Sequence, residues 1–154
     1  DTFIDFRSAT GSIGNITGTG VSGVIIYNTF QGGHFTKVIG KKPEIGMVLE
    51  MIDEPLSEDM KHLVKSKVCR TAGSRKVYGI YGGTDKDGYD ICIGLGASAV
   101  LVNGKVDVGD LLEADGLGFA HKQESHLVKD STLGKATKSN ESGINLIGCL
   151  VYSG

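Results

Sequence analysis

The sequence predicts a mainly β protein. A short N-terminal β-arm over residues 1–30 leads into a compact β-barrel or β-clip-like domain over residues 31–154, with at most one short helix. Three observations predict this. Glycine is in excess, with 24 glycines against 2 prolines in 154 residues, about twice the usual share of roughly 7%. Apolar side chains alternate with polar ones or gather in runs of strand length. Turn-forming stretches separate those runs, among them Asp115-Gly116-Leu117-Gly118, Asn103-Gly104 and residues 84–88. No Gly-X-Y period runs through the chain, which excludes a collagen-like rod.

Composition narrows the class further. Apolar residues make up 40% and charged residues 22%, so a chain of this length can bury a core without metal or disulfide staples. The net charge is −2 with both signs mixed, and no basic block offers a nucleic-acid groove. No apolar run reaches the ~18 residues of a bilayer-spanning helix. The N-terminus has neither a basic start nor an apolar h-region, which argues against a signal peptide. A chain that opens on Asp1 without a methionine is read as a piece cut from something longer. Cys69, Cys92 and Cys149 are odd in number and widely spaced. Buried thiols in a reducing compartment are expected from them.

Taken in order, residues 1–30 read as three short strands: a weak alternation at Phe3-Ile4-Asp5-Phe6, a Ser/Thr/Gly/Asn segment over residues 8–20, and an apolar strand over residues 21–30. Glycine turns at Gly11 and residues 18–20 join them. Such a segment has too few large apolar side chains for a core of its own, and copies of itself are a natural partner. Gln31-Gly32-Gly33-His34 reads as a turn before a strand at residues 35–39. Residues 57–65, SEDMKHLVK, are the one helix candidate, with Met60, Leu63 and Val64 at i, i+3 and i+4. Residues 77–83 and 89–95 read as a hairpin. Residues 97–102 and 105–108 read as a second hairpin around Asn103-Gly104, and residues 144–152 as a final buried strand.

The stretch over residues 106–137 carries the densest β signal. Its start, Asp107-Val108-Gly109-Asp110-Leu111-Leu112-Glu113, and Glu44-Ile45-Gly46-Met47-Val48-Leu49-Glu50 both read acid, β-branched, Gly, any, apolar, Leu, Glu. Each is followed by a short glycine-containing strand, Val77-Tyr78-Gly79-Ile80 in one case and Leu133-Gly134-Lys135-Ala136 in the other. This is an internal repeat of two similar β-units packed together.

Chemistry-bearing candidates are few. Asp85-Lys86-Asp87-Gly88-Tyr89-Asp90 has the acids of a calcium loop, but lacks its distal glutamate and flanking helices, so it reads as a hairpin turn. His121 and His126 share a polar loop with Glu124, and a solvated loop is the plainer reading than a metal pair. The chain holds no GxSxG, Walker A or HExxH motif. Asp1 and Asp5 are two carboxylates close in sequence, a pairing that can split pKa values and serve as acid and base on a peptide bond. Two acids on a frayed surface strand are the bland alternative.

Two segments resemble a known family. Ile4-Asp5-Phe6-Arg7-Ser8-Ala9-Thr10-Gly11-Ser12-Ile13-Gly14-Asn15-Ile16, with Val24-Ile25-Ile26-Tyr27-Asn28-Thr29, is similar to the lead-in of C-terminal chaperone domains of phage tail fibres and tailspikes. Val108-Gly109-Asp110-Leu111-Leu112, Gly118-Phe119-Ala120, Gly134-Lys135-Ala136 and residues 146–151 resemble the ending of many phage fibre and neck appendage proteins. The resemblance implies a trimeric β-domain, prism-like in its arm, acting as an intramolecular chaperone for the upstream fibre segment of the same chain. It also implies autoproteolytic release before Asp1, with Asp1 and Asp5 as the catalytic pair. Phe30-Gln31-Gly32-Gly33-His34 stands where the serine–lysine class carries an Asp-x-Arg-Leu-Lys-like segment. No cofactor is expected from the residues, and a bound nucleotide is implied by the neck-appendage resemblance alone. The expected setting is a virion tail or appendage, made in the host cytoplasm. The alternative is a receptor-binding tip that grips a host-surface glycan.

Overall fold

The computed structural model describes residues 2–9, 11–18, 25–27 and 31–152. The chain forms two compact units, residues 1–30 and residues 31–154. In the first, β1 (Thr2–Ser8), β2 (Gly11–Gly18) and β3 (Ile25–Tyr27) make an antiparallel three-stranded sheet in the order β1-β2-β3. Pairing of Ser8 with Gly11 closes the first hairpin. Ile4 and Phe6 alternate with Asp5 and Arg7 along β1, and all four are exposed. Of the strand expected over residues 21–30 only β3 is described. The turn expected over residues 18–20 lies outside the described residues beyond Gly18, which ends β2.

The second unit holds nine strands in one sheet: β4 (Gln31–Thr36), β5 (Val48–Pro55), β6 (Val64–Val68), β7 (Val77–Thr84), β8 (Asp90–Asn103), β9 (Leu111–Ala114), β10 (Ala120–Lys122), β11 (Thr132–Ala136) and β12 (Ile144–Tyr152). Strands β8, β12, β11, β9 and β10 close into a barrel, the last link being a parallel pairing of Ala120 with Val102. The remaining strands repeat that plan. β4 pairs with the N-terminal half of β8, which pairs with β7, then β5, then β6. A parallel bridge from Val38 to Ser66 brings β6 back beside the end of β4. Two five-strand rings thus share the 14 residues of β8.

The register shows how close the repeat is. Glu50 faces Lys67 and Val77 across its two neighbours, as Glu113 faces His121 and Thr132. Leu49 faces Gly79, as Leu112 faces Gly134. The preceding turns match: Met47 N donates to Glu44 O at 3.1 Å, and Asp110 N to Asp107 O at 3.1 Å. Gly46 N bonds Tyr81 O, and Gly109 N bonds Ala136 O, both at 2.9 Å. Cys92 pairs with Tyr81, and Cys149 with Ala136. The similarity between Glu44–Glu50 and Asp107–Glu113 is therefore a true structural equivalence, which extends well beyond those seven positions.

The core follows from this plan. Leu49, Tyr81 and Cys92 form a small cluster in the first ring. A larger cluster joins Val102, Leu112 and Cys149 of the second ring to Val48, Ile80 and Ile93 of the first. Burying each such side chain is worth about 1.5–3 kcal/mol, so the larger cluster fixes the two rings against each other.

Two loops of the same design connect strands. In the first, Asp85 Oδ1 accepts from Asp87 N at 3.0 Å and Tyr89 N at 2.8 Å. In the second, Asp115 Oδ1 accepts from Leu117 N at 2.7 Å and Phe119 N at 3.0 Å. Each is an Asp-x-x-Gly-aromatic loop whose glycine takes positive φ, +88° at Gly88 and +98° at Gly118. The acids of the calcium-like stretch thus brace a hairpin.

Four expectations are corrected. Among the described residues there is no helix. Residues 57–63 form a turn in which Met60 N donates to Ser57 O and Leu56 N to Leu63 O, and Val64 begins β6. Two turns of apolar periodicity do not offset the cost of helix nucleation when β5 offers a ladder to pair with. Gln31–Thr36 is a strand from its first residue. Gly32-Gly33 carries no side chains to show alternation, yet its backbone pairs with Leu95 and Ile93. Residues 89–95 and 97–102 are not separate strands, because β8 runs through both. No strand returns from Asn103-Gly104. Asn103 pairs with Ile144, and Val106 makes a single bridge to Asn140, whose side chain bonds Gly104 O and Gly143 O.

Gly79 and Gly134 sit at the closest backbone crossings. A Cβ at Gly79 would lie 2.2 Å from Ile93 O, and one at Gly134 2.2 Å from Leu150 O. Gly79→Ala and Gly134→Ala should each lower stability by about 1–3 kcal/mol through overpacking. Gly79→Ala should cost more, because Gly79 also has φ of +146°. Urea unfolding of the two variants checks this, and unchanged midpoints would contradict it.

Candidate assembly interface

Strand β12 is apolar on both parities, Ile144-Asn145-Leu146-Ile147-Gly148-Cys149-Leu150-Val151. That pattern belongs to strands buried on both faces. The structure buries one face only. Ile147, Cys149 and Val151 point into the core, while Ile144, Leu146 and Leu150 are 51%, 52% and 45% exposed. The adjacent outward residues of β8 are Leu95, Ala97, Ala99 and Leu101, opposite Tyr152, Leu150, Gly148 and Leu146. None of these β8 and β12 positions carries charge. The expectation of a fully buried final strand is corrected accordingly: half of it forms an open apolar surface.

The repeat explains why the surface is open. Ile93 and Leu150 are equivalent, each abutting the glycine of its neighbouring strand. Ile93 is 7% exposed because the second ring covers it, and Leu150 is 45% exposed because residues 31–152 hold no ring on its side. Lys135, opposite Leu150 on β11, and Thr137, whose hydroxyl lies over Gly148, form a polar border. A polar rim around an uncharged apolar centre is the anatomy of a protein–protein contact.

The polar sites are built into the frame. Glu50 is buried. Lys67 lies 3.3 Å from its Oε1, and its Oε2 accepts from Ser74 Oγ at 3.2 Å and Cys69 Sγ at 3.4 Å. Glu113 accepts from Ser131 Oγ at 3.2 Å, with His121 Nε2 3.6 Å away. These carboxylates tie each central strand to the loop before the next. Beside Glu50 lies a cleft of 520 Å³ lined by residues 50–53, Lys67, Thr71 and residues 73–76.

The sequence-derived site residues are placed as follows. Asp1 lies outside the described residues. Asp5 sits on β1, where Arg7 Nε donates to its Oδ2 at 2.6 Å. His121 faces Glu113 from β10, and His126 lies in the loop that follows. Among the described residues no cluster of three or more His, Cys, Asp or Glu side chains could hold a metal ion. The three cysteines are buried free thiols, as expected. Sequence reading missed the apolar surface, although the double parity of residues 144–151 was its signal.

No family model matches the sequence, and no curated protein matches it. The fold is similar to the crystal structure of the head fiber gp8.5 N base in bacteriophage phi29. The TM-score is 0.51 at 14% sequence identity, over 79% of this chain and 94% of that one. The likeness establishes a shared fold.

Burial pushes the thiols up, Cys92 and Cys149 to about 12 and Cys69 to about 11. A thiol raised in the folded state adds stability that is complete below its unfolded pKa. That contribution is lost as pH rises through the window from about 9 toward 12. Ellman's reagent at neutral pH should leave all three thiols unmodified until urea unfolds the chain. Fast labelling of the folded protein would contradict the burial.

Proposed function

We propose that the chain is an assembly domain of a viral fibre or appendage, working as a homotrimer that holds three copies of its upstream fibre segment together. The observation that carries this reading is the uncharged outward face of β8 and β12. Covering the exposed halves of Leu95, Ile144, Leu146 and Leu150 is worth on the order of 1 kcal/mol each. Together these offset a good part of the association cost of about 4–15 kcal/mol. The fold likeness to a phage head fibre base supports the same setting. So does the Ile4/Phe6 stripe of β1, which leaves apolar surface on the arm as well.

Leu146→Asp with Leu150→Asp places charge at the centre of the surface without entering the core. Light scattering should show the native oligomer reduced to single chains, with the β-sheet circular dichroism unchanged. An unaltered oligomer would remove this surface from the assembly.

Release by self-cleavage forms part of the proposal, with Asp1 and Asp5 as the acid pair. In a longer chain that includes the upstream segment, Asp1→Ala and Asp5→Ala should each block cutting, read by gel mobility. Normal cutting in both would exclude an acid mechanism. Mature fibres lacking residues 1–154 identify a released chaperone, and fibres retaining them a permanent tip.

A further inference from the structure

The two rings of one chain are joined by a contact that the second ring is equipped to make again. The loop between β6 and β7 reaches over to β9 of the other ring. Ala72 forms an antiparallel bridge with Asp115, and Gly73 N donates to Ala114 O at 2.9 Å. The corresponding loop between β10 and β11 has the same C-terminal anchor. Val77 N bonds Ser74 O, and Thr132 N bonds Lys129 O. Counting back from those anchors, Ala72-Gly73 corresponds to Leu127-Val128. These are the loop's two apolar side chains, 75% and 64% exposed.

The receiving site has a counterpart as well. Ala114-Asp115 at the end of β9 corresponds to Met51-Ile52 on β5, by the register that equates Glu113 with Glu50. In the second ring that place is occupied by Ala72 and Gly73, with Gly73 beside Glu113. In the first ring it is the 520 Å³ cleft bounded by residues 50–53 and 73–76. Met51, at its edge, is 37% exposed.

We infer that Leu127-Val128 of one copy docks into the cleft beside Met51-Ile52 of the next, repeating between chains the contact that Ala72-Gly73 makes within one. This rests on the assembly reading above and gives it a direction. The contact is heterologous: each copy offers a loop at one end and a cleft at the other, and such contacts close into rings when the rotation permits. Both surfaces carry mixed charge: Glu50, Asp53, Lys67, Arg75 and Lys76 line the cleft, and Glu124, Lys129 and Asp130 flank the incoming apolar pair. Within the chain, Arg75 already binds Asp130 across the equivalent junction.

The test uses the equivalence of Ala72–Asp115 with Leu127–Ile52. Residues bridged in this way have Cα atoms about 4.5–5.5 Å apart, within disulfide range. Ile52→Cys and Leu127→Cys chains, co-expressed and oxidised, should give a covalent dimer that neither variant gives alone. A chain carrying both substitutions should give covalent species up to the size of the native oligomer. The three native thiols are buried and do not compete. A native oligomer by light scattering with no cross-link overturns this contact and leaves the assembly reading standing. Cross-linking by either single variant alone overturns the heterologous geometry. A wild-type chain that is monomeric throughout overturns both.

Discussion

Strand β8 has to serve two barrels at once, and most of the domain follows from that. Its first half pairs with β4 and β7, and its second half with β12 and, through Val102, with β10. A strand of 14 residues is long for a small domain. Its inward residues must alternate to suit both rings. Gly79 meets the carbonyl of Ile93 on β8, and the equivalent Gly134 meets that of Leu150 on β12. The turns before β5 and β9, the paired glutamates and the paired buried cysteines repeat because each ring solves the same packing problem.

A duplicated unit with one shared strand has two unlike ends. Each ring in the interior of such a series would be covered on both sides. Residues 31–152 hold two rings, so within them the first has no ring on one side and the second none on the other. The open cleft beside Met51, the exposed Leu127-Val128 pair and the bare face of β12 are those missing contacts. Their composition matches what they lack: uncharged on the sheet face and apolar at the loop. The terminal surfaces of repeat proteins carry a polar cap when nothing is meant to join them. Within residues 31–152 no such cap covers these surfaces.

The sequence revealed the β class, the Asp-x-x-Gly turns, the buried thiols and the similarity of residues 44–50 to residues 107–113. It did not reveal how far the duplication reaches. Lys67 is matched by His121, Tyr81 by Ala136 and Ile80 by Lys135, so register is kept while side chains are not. The helix expected at residues 57–65 and the turn expected at Gln31–His34 failed for opposite reasons. One had apolar spacing without enough length, and the other had a paired backbone without side chains to announce it. The interface was legible in part. An apolar run on both parities at residues 144–151 announces a strand covered on both sides, but no local pattern says whether the second cover comes from the same chain.

Sedimentation of the wild-type chain over a wide range of concentrations tests the central claim most directly. The account predicts a stable trimer that persists on dilution. A monomer at every concentration contradicts it.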